Sequence, residues 1–156
     1  MMWVCRAGRD SKYYKFFIEN KCIYLPWEGF RVNLSNRSSV ADFRMIVATE
    51  KKTDNRVTIS NLACQLDYFC NKISNGDYVL IPSFSSQSYA LCQVIGEYKY
   101  NDIDILPHCR PIEVLQTDIQ RNIFPQSIIY SLGTFRTIFR VKDEDKVLKI
   151  IKDASN

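Results

Sequence analysis

A chain of 156 residues is one domain by length, able to bury roughly 70% of its unfolded surface without disulfides or a structural metal. At 46% hydrophobic and 13% aromatic it is globular rather than disordered, and a net charge of +4 permits an anionic partner without the extreme charge of a histone-like protein. No apolar run approaches the ~18 residues of a membrane span, there is no signal peptide, and six cysteines without a C-x-x-C pair beside one histidine predict reduced core thiols in a cytoplasmic protein with no metal site.

Residues 2–7 (MWVCRA) read as a first strand, broken by Gly8, Arg9, Asp10 and Ser11. Over 12–20 the spacing of Tyr13, Phe16 and Phe17 predicts a short amphipathic helix, followed by a strand at 22–25. Pro26 and Gly29 forbid its regular continuation and leave the indole of Trp27 at a strand end. Ser38, Ser39 and Asp42 signal a helix start, with Phe43, Ile46 and Val47 as its apolar face. A charged loop at 50–56 leads to the main packing helix, 58–74, on which Ile59, Leu62, Leu66, Phe69 and Ile73 form one stripe before Gly76 stops it.

The best-defined unit is a hairpin at 76–100. Its first strand, 77–82, is an apolar run closed by Pro82; its second, 88–100, is apolar on both faces and therefore central. Gly96 marks a bulge or the close approach of another backbone. Phe84, in the turn at 83–87, has no local partner and either folds back onto the core or waits for a ligand. Residues 101–107 form an irregular connection, and 108–115 an alternating strand in which Pro111 argues for an edge or a bulge. Single helical turns at 118–123 and 125–130, a β-branched strand at 137–141 and a closing helix from Asp143 complete the order, with Lys149 and Lys152 near the end that the helix dipole favours. The pattern predicts a single α+β domain over 1–156, a small curved mixed sheet or β-barrel flanked by helices. Its closing helix could end the chain or lead into an effector domain.

This order, carried by 3–8 (WVCRAG), 25–30 (LPWEGF), 76–98, 108–115 (HCRPIEVL) and 131–141, resembles the modified-base readers of the PUA-like group. YTH and EVE domains share the layout, and the chain looks most like the N-terminal domain of Mrr-like restriction endonucleases. The resemblance implies a non-catalytic, cofactor-free module that binds nucleic acid, DNA ahead of RNA, and takes a flipped, methylated base into an aromatic pocket. It also implies an attached or associated nuclease in a bacterial or archaeal defence system. Trp27 matches the pocket's aromatic wall, and Asp10 and Ser11 fall near the base edge. Trp3, Ser83, Phe84 and Leu106 are the further candidates, Leu106 lying in the connection where YTH domains have another Trp. Arg6, Arg9, Lys12, Arg31, Arg37 and Arg110 surround this set as phosphate partners, which would make affinity fall with salt. Aromatic walls and hydrogen bonds return the stacking energy a flipped base has lost, and a buried methyl adds about 0.8 kcal/mol.

The same residues have plainer readings. Trp27 can pack at a strand end, Trp3 belongs in a strand core, and scattered Lys and Arg usually form a solvated face. Asp77 followed by Glu97, Tyr98 and Lys99 matches the D…E-x-K pattern of Mg²⁺-dependent nucleases, so a small nuclease is the alternative. A protein-interaction domain using a sheet edge is the third reading.

Overall fold

The computed structural model describes residues 1–156. Its first strand, β1 (Met2–Cys5), is buried throughout because alternate residues serve two cores, Trp3 and Cys5 one, Met2 and Val4 the other. Helix α1 (Tyr14–Asn20) ends at Lys21, whose left-handed φ of 53° turns the chain into β2 (Cys22–Tyr24). Helix α2 (Val40–Lys51) starts where the Ser39 hydroxyl accepts from the Ala41 amide, and α3 (Arg56–Asp67) where the Asn55 carboxamide accepts from Thr58. A π-helical turn, Tyr68–Lys72, prolongs α3, so the predicted stripe from Ile59 to Ile73 reaches the core along its whole length. The hairpin β3 (Tyr78–Ser83) and β4 (Ser88–Val94) follows, then β5 (Lys99–Tyr100) and the long β6 (His108–Gln120). Helix α4 (Gln126–Leu132), β7 (Ile138–Arg140) and α5 (Glu144–Ala154) complete the chain.

The strand order is β2-β6-β4-β3-β1-β7, with β5 also on β6; β1 and β3 are parallel and every other pair is antiparallel. Register shifts between β4 and β6 around Tyr89, Leu91 and Cys92, with a left-handed Asp118 (φ 56°), curl this mixed sheet into a half-barrel. The α+β expectation holds in its curved-sheet form. One face rests on α1, α2 and α3 in a core of 23 buried residues, the other on α4 and α5 in a core of 13. The second cover is the thinner one. Helix α4 is only seven residues long, and a cavity opens between its end and the tip of the β3–β4 hairpin.

Three local expectations are corrected. Residues 118–120 belong to β6, and only Arg121–Ile123 turn helically, because the strand tolerates the left-handed Asp118 instead of ending there. The second hairpin strand stops at Val94, and a separate β5 follows. Pro111 lies in an interior strand, between β2 and β4, rather than at an edge. It is tolerated because its ring nitrogen shares the side of the strand on which its carbonyl accepts from Ile95, where β4 has already ended. The close neighbour of Gly96 is this proline's ring rather than another backbone: a Cβ on Gly96 would sit 2.8 Å from the Pro111 Cγ. No helix is long and apolar enough to cross a membrane.

Candidate nucleic-acid interface

Beyond β1 the chain enters a loop that only particular residues allow. Gly8 has φ of 83°, and a Cβ there would meet the Tyr13 ring at 3.0 Å. Asp10 and Ser11 both adopt left-handed backbone (φ 55° and 58°), which costs a non-glycine residue about 1–2 kcal/mol. The Ser11 hydroxyl offsets part of this by donating to the Pro82 carbonyl at 3.0 Å and accepting from the Phe84 amide at 2.9 Å. Those two bonds hitch the loop to the tip of the β3–β4 hairpin.

At that tip the hydroxyl of Ser86 bridges Ser83 (2.8 Å) and Ser88 (2.7 Å), while the Phe84 ring stands 66% exposed. The Arg121 amide donates to the Gln87 carbonyl at 2.9 Å, which brings the residue after β6 alongside the tip. Opposite, the Arg6 guanidinium donates to the Thr134 carbonyl in the segment after α4. Between these groups lies a cavity of about 250 Å³. Arg6 and Arg121 are its only charged lining groups, neither is in an ion pair, and the remaining polar lining is hydroxyl or carboxamide. Tyr89 reports the same field: burial raises its phenol pKa, and Arg121 and Arg6 both pull it back down. Two positive charges thus face a hydroxyl-lined hollow with no carboxylate to neutralise them.

Four of the sequence-predicted residues, Arg6, Ser11, Ser83 and Phe84, come together here. Arg9, Asp10 and Lys12 lie in a separate shallow depression with Tyr13 and Glu28. There the Lys12 ammonium is paired with the Glu28 carboxylate at 2.8 Å, and the Tyr13 hydroxyl donates to the same oxygen, so Lys12 is not a free phosphate partner.

The other expected positions lie outside this cavity, and burial or existing bonds occupy Trp3, Leu106 and Arg31. Trp27 does not line the cavity: its indole packs on Phe30 and donates to the Thr137 hydroxyl at 3.3 Å, leaving it half-buried at the predicted strand end. Trp3 is 2% exposed, stacks near Tyr68 and donates to Asp77 at 3.0 Å, so it is a core residue. Leu106 is fully buried in the larger core. Arg31 spends its guanidinium on the carbonyls of Asp102 and Asp104, pinning the connection before β6. Arg37 lies in the segment before α2 and does not line the cavity.

Arg110 departs furthest from expectation. It is 1% exposed, and its guanidinium donates to the carbonyls of Gly96 (2.8 Å), Phe69 (2.9 Å) and Ile73 (2.7 Å). It closes the C-terminal end of the main packing helix, where the dipole favours a cation and carbonyls lack partners. Phosphate cannot reach it.

Two residues of the nuclease pattern have partners within the chain. Asp77 accepts from Trp3 Nε1 and from the Ser74 amide, Glu97 from Asn75 Nδ2, and no three acidic, His or Cys side chains converge as metal ligands. His108 is fully buried. Its Nε2–H donates to the Phe30 carbonyl, so its Nδ1 accepts from the Tyr98 hydroxyl, and burial pushes its pKa down to about 4.

Sequence reasoning missed Arg121 and Tyr89. Arg121 was hidden inside an expected helical turn; its position just after a strand was the one available signal. Tyr89 was placed on a strand face but not connected to arginines that lie far from it in the chain.

Comparison with known families matches residues 3–142 to the model of the domain of unknown function DUF8426. A search of curated proteins finds no match. The chain belongs to the DUF8426 family, and the match spans every strand but the first residue of β1.

Proposed function

We propose that this DUF8426 member is a nucleic-acid-binding module that holds a phosphate between Arg6 and Arg121 and lays the adjoining base on Phe84. The observation that carries the reading is the pair of unneutralised guanidiniums in a cavity with hydroxyls and no carboxylate. Arginine is weakly hydrated and presents a planar fork that matches phosphate oxygens bidentately, and charge-assisted bonds of this kind are about twice as strong as neutral ones. The volume of about 250 Å³ lies below the ~300–1,000 Å³ of drug-sized ligand sites, which suits a phosphate with one planar group. Stacking on an aromatic side chain is worth about 1–3 kcal/mol per base, and Phe84 presents an uncovered face at the rim.

In this reading the base-capturing role suggested by the PUA-like resemblance moves from Trp27 to Phe84 and Tyr89, with Ser11 and Ser83 near the base edge. The module would deliver an attached or associated nuclease to the DNA it holds. The test is a fluorescence-anisotropy titration at two salt concentrations. Its probes are matched single- and double-stranded oligonucleotides carrying unmodified bases, N6-methyladenine or 5-methylcytosine. Arg6→Glu with Arg121→Glu should weaken binding roughly 100-fold, and loss of the one phosphate contact should lower the single-strand salt slope by about 0.7. Affinity and slope unchanged in that double variant would refute the reading. A preference for one methylated probe that persists at higher salt would add base selectivity to it.

A further inference from the structure

On the far side of the segment that receives Arg6 lies a second hollow, of about 470 Å³, between α4, β7 and the π-helical turn. Arg136, Arg140 and Lys142 line it, all three exposed, none in an ion pair or side-chain hydrogen bond. No carboxylate lines it; the acids that follow, Asp143, Glu144 and Asp145, open α5 and lie outside the lining. Two aromatic rings stand uncovered beside these cations, Tyr130 at 83% exposed and Phe135 at 101%. Both present free faces on which a planar group can stack.

The two hollows share a wall. Gly133 lines the Arg6–Arg121 cavity and Thr134 the second hollow, and the Thr134 carbonyl takes the Arg6 guanidinium. The Thr134 hydroxyl oxygen is buried there without any hydrogen-bond partner, the one such side-chain polar atom in the chain. A chain leaving the first hollow passes over Thr134 and Phe135 to reach the second. A protein strand added to the edge strand β7 is the competing occupant, but that edge is already blunted. The Gln65 side chain, itself 3% exposed, accepts from the amides of both Thr137 (2.9 Å) and Ile138 (3.2 Å). Three free cations with two open rings fit a polyanion whose bases are unpaired, since a duplex hides the base faces that rings stack on.

We infer that single-stranded nucleic acid runs from the Arg6–Arg121 cavity over Thr134 and Phe135 into this hollow. Its successive phosphates lie on Arg136, Arg140 and Lys142, and its bases stack on Phe135 and Tyr130. The inference rests on the proposed function and extends it from a one-phosphate site to a track with strand selectivity.

Labelled oligothymidylates of 2, 6 and 12 nucleotides test it against the intact chain. Wild type should bind more tightly with each increase in length. Arg136→Glu/Arg140→Glu/Lys142→Glu should weaken the 12-mer roughly 30-fold and lower its salt slope by about 2 while leaving the 2-mer unchanged. Phe135→Ser with Tyr130→Ser should cut 12-mer affinity without altering the salt slope. Reversing the exposed Lys51, Lys52 and Lys72 makes the same change in net charge and should have less than a third of the effect. All the reversed side chains are exposed, and a thermal melt superimposed on wild type establishes that each variant is folded. Equal affinity for all three lengths, a 12-mer indifferent to the triple reversal, or a 12-base-pair duplex bound as tightly as the strand would overturn the track. In each of those cases a roughly 100-fold weakening in the Arg6/Arg121 variant would leave the proposed function standing. Absence of binding to every probe by wild type would overturn both.

Discussion

The chain holds arginine, serine or histidine, and aromatic rings in two places, and treats them in opposite ways. At the β2–β6 end, Arg110 and His108 are sealed in the larger core. Every polar atom there has a partner in the chain: three helix-end and loop carbonyls around Arg110, and a relay from the Leu34 amide through the Tyr98 hydroxyl and His108 to the Phe30 carbonyl. At the β1–β7 end, Arg6 has one carbonyl, Arg121 has none, and Phe84, Tyr130 and Phe135 are open to water. A buried cation must be satisfied internally or it destabilises the fold, so the first set serves stability. The second set costs little to leave unsatisfied in water, and its free valence is available to a ligand.

Four substitutions or conditions separate these ends, beginning with the strongest. Arg110→Ala should cost about 3–5 kcal/mol of stability by chemical denaturation, because three buried carbonyls lose their donor at once. An Arg110 variant as stable as wild type would erase the contrast. Arg6→Glu with Arg121→Glu should do the reverse, losing roughly 100-fold in oligonucleotide affinity, about 2.7 kcal/mol, with stability lowered by no more than about 1.5–3 kcal/mol for the lost bond from Arg6 to the Thr134 carbonyl.

Acid should act on the first end alone. Folded His108 titrates near 4, below the ~6.5 of an unfolded imidazole. Between those values the unfolded chain binds a proton that the folded chain refuses. Stability should therefore be complete above pH 6.5 and fall by about 2–3 kcal/mol as the pH drops towards 4. His108→Gln, which cannot take the proton, should flatten that part of the curve. The smallest effect belongs to Phe84→Ala, about 1–2 kcal/mol in binding from lost stacking, with no change in stability since the ring is exposed. Trp27→Ala provides the matching control, lowering stability by its packing while leaving affinity within twofold.

Periodicity made most of the fold legible. The stripe from Ile59 to Ile73, the Ser39 helix start, the central hairpin and the closing helix all lie close to where spacing and capping put them. Alternation also held the clue to Arg110, which shares a strand face with Ile112 and Val114. A charge on an apolar face is a buried charge, and its chemistry was misread as exposed because its partners, Phe69, Ile73 and Gly96, are remote in sequence. Phe84, an aromatic without a local partner in a serine-rich turn, was legible for a local reason, and Ser11 only through the family resemblance. Arg121 was not legible, since only the register of β6 against β4 decides that it stands beside Gln87.

The cavity draws its walls from four stretches separated by dozens of residues: the loop after β1, the hairpin tip, the residue after β6, and the end of α4. The strand that presents Arg6 is fixed by parallel pairing with β3, Met2 against Tyr78, and by β7, Cys5 against Ile138. Such distant pairings close large loops, whose entropy is lost before the contacts offset it. Binding therefore reports on completion of the fold. The isolated hairpin has one wall and no arginine from the other three stretches.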